Sequence, residues 1–402
     1  MLELEEARRR ILATLQPLPV EVVSLSAAPG RVLAESVVAP IDLPSFDNSA
    51  VDGYAVRATD LSSVRAGAPA ILDLVGRVPA GDVFSGTVQP GACLRIFTGS
   101  ALPAGADAVV LQEDTRCDGE QPGKVQFLER ASPWEHVRLR GEDVKRGAAL
   151  VASGERATAG HIGLLAASGL REIKVRRQPV VGLLATGSEL VESGNPLAPG
   201  KLYESNRQAL APLLARSGAL PRLLPLVADT LEETKRALEQ AFAGCDALVT
   251  TGGVSVGELD FVKQAFEEIG GSMDFWKVAV KPGKPFAFGQ WRQKLLFGLP
   301  GNPVSAIVTF LLLVRPALWR WQGATNVDPP ARFCILADPL ANPGDRRHFM
   351  RVRVDAAGNA RSAGAQASHL LSSLASADGL VDVPPNTSLP AGTLARLIPF
   401  ED

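Results

Sequence analysis

The chain has 402 residues, 46% hydrophobic and 21% charged, enough for about two to four packed domains and too apolar for a disordered chain. Forty-one basic against 43 acidic residues leave a net charge of −2, which argues against a general nucleic-acid coat, whose affinity needs a large basic excess. Four dispersed cysteines (Cys93, Cys117, Cys245, Cys334) form no CxxC pair and read as buried free thiols, not a zinc knuckle or disulfide framework.

The first residues, MLELEEARRR, read as a charged amphipathic helix ended by Pro17 and Pro19, and no secretory signal is expected. The longest apolar run, Ala306 to Val314, is about half the ~20 residues of a membrane span. A cytoplasmic protein without membrane segments is expected. From about residue 20 to 139 short β-rich runs such as Ile71 to Val78 and Ala92 to Phe97 alternate with Gly and Pro, predicting a small barrel or sandwich. A helix near Thr158 to Ser168 and a strand at Glu172 to Val175 follow.

At Gln178 the rhythm changes. Strands are predicted at Val180 to Ala185, Arg222 to Val227, Ala247 to Thr250 and Leu295 to Leu299. Helices are predicted at Asn206 to Ser217, Leu231 to Phe242, Asp260 to Ile269 and Ser305 to Leu318. This alternation implies a parallel sheet covered on both faces. Past Gly323 the prolines break the chain into a small β module.

One stretch stands out by its charge. Between Asp274 and Asp328 lie 53 residues without an acid, where the average composition would place roughly six. Three of the ten lysines, Lys277, Lys281 and Lys284, fall within eight residues of that stretch. Compact ammonium groups suit phosphate or another oxyanion. In KPGKPFAFG (Lys281 to Gly289) two prolines and Gly283 stiffen the loop, so little entropy is lost on capturing an anion.

Three strand ends are Gly-rich or polar: ATGSEL (Ala185 to Leu190), TGGVSVGELD (Thr251 to Asp260) and GLPGNPVSA (Gly298 to Ala306). Gly252 and Gly253 at a strand-to-helix turn let backbone amides face a phosphate. Ser255 and Glu258 flank them. The sequence is neither a P-loop nor a dinucleotide fingerprint. Ligands in such sheets bind at the carboxyl ends of strands, where Glu189, Asp229, Asp260 and Ser305 are expected to share one crevice. Carboxylates beside a phosphate pocket point to Mg²⁺, although Asp229 and Asp260 are each also placed to cap a helix. PSFDNSAVDGYAV (Pro44 to Val56), with Asp47 and Asp52, is a tight polar loop. RIFTGS (Arg95 to Ser100) and RLRGED (Arg138 to Asp143) are further polar turns. The four histidines are scattered and read as core or surface residues.

DNSAVDGYA, RIFTG, RGED, TGSEL, TGGVSVGELD, KPGKP and LPGNPVSA, in this order, resemble the molybdopterin molybdenumtransferase family of the MoeA type, related to the E domain of gephyrin. The resemblance implies a homodimer of multidomain α/β plus β subunits. It places a helical hub at residues 1–44 and 140–176 and an inserted β-rich domain at 45–139. A three-layer α/β domain of the molybdopterin-binding type follows at 177–322, and a C-terminal β domain at 323–402. The implied reaction takes adenylylated molybdopterin and molybdate to molybdenum cofactor and AMP with Mg²⁺.

The family pattern carries metal binding to Asp229, Asp260 and Glu189, and catalytic roles to Asp52, Thr98, Asp143, Glu189, Lys277 and Lys281. Substrate and molybdate contacts fall on Gly252, Gly253, Ser255, Lys281, Lys284, Pro300, Pro303, Ser305, Arg351 and Ser368. Asp52 is expected to reach the crevice of the other subunit. Ser188 stands where many relatives carry an acid. Alternatives are a molybdopterin adenylyltransferase, itself a possible partner, and a non-catalytic gephyrin-like scaffold.

Overall fold

The computed structural model describes residues 1–117, 122–253, 260–328 and 332–400. Its central element is a six-stranded sheet. From one edge the order is Leu220–Leu223, Val180–Ala185, Ala247–Thr251, Lys294–Leu299, Pro285–Trp291 and Ser272–Lys277. The first four strands run parallel, and successive side chains alternate between the two faces. Val181, Leu183, Val249 and Phe297 pack with Leu210, Leu214 and Val304 of the helices Asn206–Arg216 and Pro303–Thr309. Leu184, Leu248 and Leu296 face the other way, onto Leu238, Phe242 and Phe266 of the helices Leu231–Gly244 and Val262–Glu268. Helices therefore cover both faces, as the continuous apolar runs require.

Two expectations are corrected. The sheet is mixed, because Pro285–Trp291 runs antiparallel to both of its neighbours. Trp291 pairs with Lys294 across a two-residue turn in which Arg292 takes φ +56°. That turn lacks the Asn-Gly or Asp-Gly signal that would have announced a hairpin. The edge strand is Leu220–Leu223 instead of Arg222 to Val227, and Val227 forms only an isolated bridge to Thr186.

The apolar run after Pro303 belongs to one continuous helical stretch whose middle, Phe310–Val314, is wound as a π-helix. Pro316 follows in the next turn. It has no N–H to give the carbonyl four residues back, and a widened turn accommodates that defect. Pro303–Trp321 is long and apolar enough to cross a membrane, yet 94% of its apolar window is buried inside the fold. It is a core helix.

Three further modules flank this domain. The first helix, Leu4–Thr14, buries Leu4, Ala7 and Ile11 against the α/β core. The antiparallel strands Val20–Ser24 and Glu172–Arg176 join the segments on either side of an inserted sheet. Between them, a six-stranded sheet that includes Gly53–Val56, Ala70–Val78 and Ala92–Ile96 folds around Tyr54, Cys93 and Phe127.

At the other end, Arg347–Val354, Asn359–Ser362, Arg332–Leu336, Leu394–Pro399 and Gly379–Val383 pair in a ring, the last returning to the first. Closure pairs each of these five strands on both sides, while Arg347 and His348, beyond the pairing with Asn359–Ser362, keep an edge that the ring leaves open. The short strand Val280–Lys281 adds to Arg347–Val354, so the lysine-rich segment leaves the α/β sheet and joins the C-terminal barrel. Cys93, Cys245 and Cys334 are buried free thiols as expected, and Cys117 is exposed.

Candidate functional site

A crevice of about 780 Å³ opens at the carboxyl ends of the parallel strands. Its floor begins where Val180–Ala185 and Ala247–Thr251 stop. There Gly252 (φ +82°) and Gly253 (φ +64°) bring the backbone against Thr186, and a Cβ at Gly252 would lie 2.5 Å from the Thr186 carbonyl oxygen. Only glycine fits such a turn. The Thr186 hydroxyl is buried and has no hydrogen-bond partner among the described residues.

Glu189, Asp229 and Asp260 all line this crevice, with Gly252, Gly253, Pro300 and Pro303. Asp229 is oriented by the neighbouring strand end. The Ser188 N–H donates to Asp229 Oδ2 at 2.8 Å, and the Asp229 N–H donates to Ser188 Oγ at 3.0 Å. Neither acid caps a helix as weighed above: Thr230 caps Leu231–Gly244, and Val262–Glu268 starts after Phe261 with no side-chain cap. Glu204 also lines the crevice, but it is matched to buried Arg207 at 2.9 Å. Asn206 Nδ2 donates to the Gly301 carbonyl, which fixes the Gly-Asn-Pro turn.

Among the described residues no three His, Cys, Asp or Glu groups converge tightly enough for a preformed metal cage. An oxygen-only wall of separate carboxylates still fits Mg²⁺, which uses one or two protein carboxylates and completes its shell with water and phosphate oxygens.

The lysines are absent from the crevice lining. Lys277 ends the last strand of the sheet, opposite Pro285, and Lys284 precedes it. Pro285 itself lines the crevice, so both lysines share the carboxyl rim. Lys277 stands four strands from Val180–Ala185, roughly 19 Å at the usual strand spacing. Exposed Lys281 lies beside His348 across the barrel strand. Burial first, and then the Lys281 charge, hold the His348 pKa down at about 4. Gly283 rests on Thr309 of the helix Pro303–Thr309. Leu2 fixes the same segment from the other side, its N–H donating to the Lys277 carbonyl and its carbonyl accepting from Ala279.

Ser305 is buried and does not line the crevice; its carbonyl accepts the Thr309 hydroxyl. Arg351 is fully buried and faces its own chain: Nη2 donates to the carbonyls of Ala365 and Ala367, and Nε to Ser373 Oγ. Its Nη1 has no hydrogen-bond partner among the described residues. Ser368 Oγ accepts from Asn302 Nδ2 at 3.0 Å, and its carbonyl accepts from the Val304 N–H. The C-terminal domain thus caps the helix behind the Gly-Asn-Pro turn. Ser255 and Glu258 lie outside the described residues.

Asp52, Thr98 and Asp143 do not line the crevice of their own chain. Thr98 donates its N–H and its hydroxyl to Asp52 Oδ1, each at 2.8 Å. These bonds, the N–H first, and then the Arg95 charge hold the Asp52 carboxyl below its ordinary range. Exposed Asp143 sits on another loop, its N–H donating to the Leu43 carbonyl. Sequence reasoning missed Thr186, Tyr203, Asn206, Asn302 and His369, all of which line the crevice. The Asn in GLPGNPVSA was visible as a turn former, but no sequence signal linked His369 to this place.

A covered α/β sheet with a ligand crevice at its carboxyl edge, braced by a closed C-terminal barrel, defines a multidomain α/β plus β ligand-binding protein. Residues 2–169 match the MoeA N-terminal region (domain I and II), 182–320 a probable molybdopterin binding domain, and 334–400 the MoeA C-terminal region (domain IV). The chain is 39% identical to the molybdopterin molybdenumtransferase of Haemophilus influenzae, covering 92% of each chain. It is 34% identical to that of Bacillus subtilis over 95% of this chain and 90% of the relative. The crystal structure of the molybdopterin biosynthesis MoeA protein from Pyrococcus horikoshii OT3 superposes with a TM-score of 0.84 at 31% identity, covering 99% of this chain and 100% of that one. The chain belongs to the molybdopterin molybdenumtransferase family.

Proposed function

We propose that this protein is a transferase of molybdenum cofactor biosynthesis. It inserts molybdenum from molybdate into adenylylated molybdopterin in the cytoplasm, with Mg²⁺, and releases AMP. The observation that carries the reading is that Glu189, Asp229 and Asp260 line one crevice, with Lys277 and Lys284 at the same rim on a separate segment. Two anionic groups have to be held near each other at a cost of several kilocalories; Mg²⁺ held by the acids would offset the charge of one, and the lysines that of the other.

Asp229, aimed by Ser188, and Asp260 and Glu189 are the residues that would hold Mg²⁺. Bound there, the ion would neutralise charge on the diphosphate oxygens. The Gly252–Gly253 turn leaves backbone close to the phosphates, and Lys281 and Lys284 take the molybdate dianion. No covalent protein nucleophile is required.

The chain acts as a homodimer in this reading. The Asp52–Thr98 loop and Asp143 then complete the crevice of the partner protomer, consistent with their absence from their own. Exposed Val20, Val22, Val38, Ile41 and Phe46 in the N-terminal modules supply apolar surface for such an interface. A molybdopterin adenylyltransferase would hand over the substrate.

The test is to incubate purified protein with adenylylated molybdopterin and Mg²⁺. AMP release that depends on molybdate is expected. Its absence refutes the reading, and adenylate made from ATP and molybdopterin without molybdate would assign the preceding step instead.

A further inference from the structure

The crevice has an uneven complement of charge. Its ionisable lining, among the described residues, consists of Glu189, Glu204, Asp229, Asp260, Tyr203 and His369. Glu204 is already matched by Arg207. Among the described lining residues there is no lysine or arginine, and His369 is the one basic side chain. It comes from the C-terminal domain, more than a hundred residues after the acids.

The loop that delivers it is held at several points. Arg351 Nη2 fixes the Ala365 and Ala367 carbonyls at 2.8 and 3.1 Å. Asn302 Nδ2 fixes Ser368 Oγ at 3.0 Å, and the Val304 N–H fixes the Ser368 carbonyl at 3.2 Å. His369 follows directly, exposed at the crevice. A side chain on a loop anchored by its own fold loses little freedom when a ligand arrives.

We propose that His369 is a substrate-contacting residue, an imidazole that donates a hydrogen bond to the diphosphate bound in the crevice it lines together with Glu189, Asp229 and Asp260. The proposal rests on the reading above and adds a cation-capable donor to a wall of acids. The Glu189, Asp229 and Asp260 carboxylates share the crevice lining with it, so the imidazole donor and the acids that would hold Mg²⁺ serve the same bound group.

ADP-ribose is a suitable probe, because it carries a diphosphate diester of the same kind. Calorimetric titration with Mg²⁺ at one fixed pH should give His369→Ala binding about tenfold weaker than the wild type, the scale of a charge-assisted hydrogen bond. His369→Gln, which keeps a donor, should recover most of that loss. With adenylylated molybdopterin as substrate, His369→Ala should raise KM more than it lowers kcat, with an unchanged circular dichroism spectrum. His369→Ala that binds ADP-ribose as tightly as the wild type overturns the proposal. Asp229→Asn separates the two questions: if it binds ADP-ribose as the wild type does, the crevice reading itself fails, whatever His369 does.

Discussion

Ser188 and Asp229 exchange hydrogen bonds, each backbone N–H donating to the other's side chain. The pair joins the turn after Val180–Ala185 to the segment after Leu220–Leu223, and it fixes one carboxylate oxygen of Asp229. Asp229→Asn keeps an acceptor for Ser188 but removes the charge. It should lower molybdate-dependent AMP release by about 100-fold or more, the scale of losing a preorganised electrostatic contact. Ser188→Ala leaves its N–H in place and should cost only a few-fold. Steady-state assays across an Mg²⁺ titration check both.

The lysine segment and the acid wall are separate in space, so their variants should have separable effects. Lys281→Ala should raise the KM for molybdate by about tenfold or more, as expected for a lost charge-assisted contact. ADP-ribose binding in the crevice should stay unchanged. Equal damage to both would contradict two separate anion subsites.

Thr98→Val removes the hydroxyl from Asp52 and leaves the Thr98 N–H. The Asp52 carboxyl, held low by those two bonds and by Arg95, should then titrate at higher pH. An NMR titration reads this directly, and the acidic limb of the pH–rate profile should move upward with it.

Arg177 and Asp246 form a two-pronged ion pair at 2.8 and 2.9 Å, and Asp246 also accepts the Val180 N–H at 2.7 Å. Burial alone would raise the Asp246 pKa; the guanidinium and the N–H outweigh it and lower it. A lowered folded-state pKa means the stabilisation is complete above the ordinary aspartate value and is lost as pH falls through the folded one. Asp246→Asn should cost about 1–2 kcal/mol at pH 7, allowing for partial exposure. The gap from the wild type should shrink toward pH 3 in urea unfolding curves.

Gly252→Ala places a methyl 2.5 Å from the Thr186 carbonyl at φ +82°. Both strain and clash apply, so a loss of about 2 kcal/mol or more is expected. Thermal unfolding and ADP-ribose affinity should fall together, because the same turn shapes the crevice floor.

Much of the α/β domain was legible because buried parallel strands are continuous apolar runs. Val180–Ala185 spans the residues predicted, and Ala247–Thr251 gains only Thr251. The hairpin Pro285–Trp291/Lys294–Leu299 was not, since its turn at Arg292 uses a positive φ without glycine or asparagine. The acids were placed in one crevice correctly from their positions at strand ends. Ser305 was not, because the helix register turns it into the core. The missing acids around Lys277–Lys284 were visible, but a local count cannot show that Lys281 pairs with a barrel strand formed some 65 residues later. His369 was unreadable for the same reason: its neighbours come from a distant part of the chain, and its own surroundings carry no metal or catalytic spacing.

Leu2 carries a practical consequence. By bonding on both sides to the Lys277–Ala279 backbone, it ties the strand-like start of the chain to the segment that carries three of the ten lysines. Replacing Leu2 with proline would remove the N–H given to Lys277 and loosen those lysines without touching any of them.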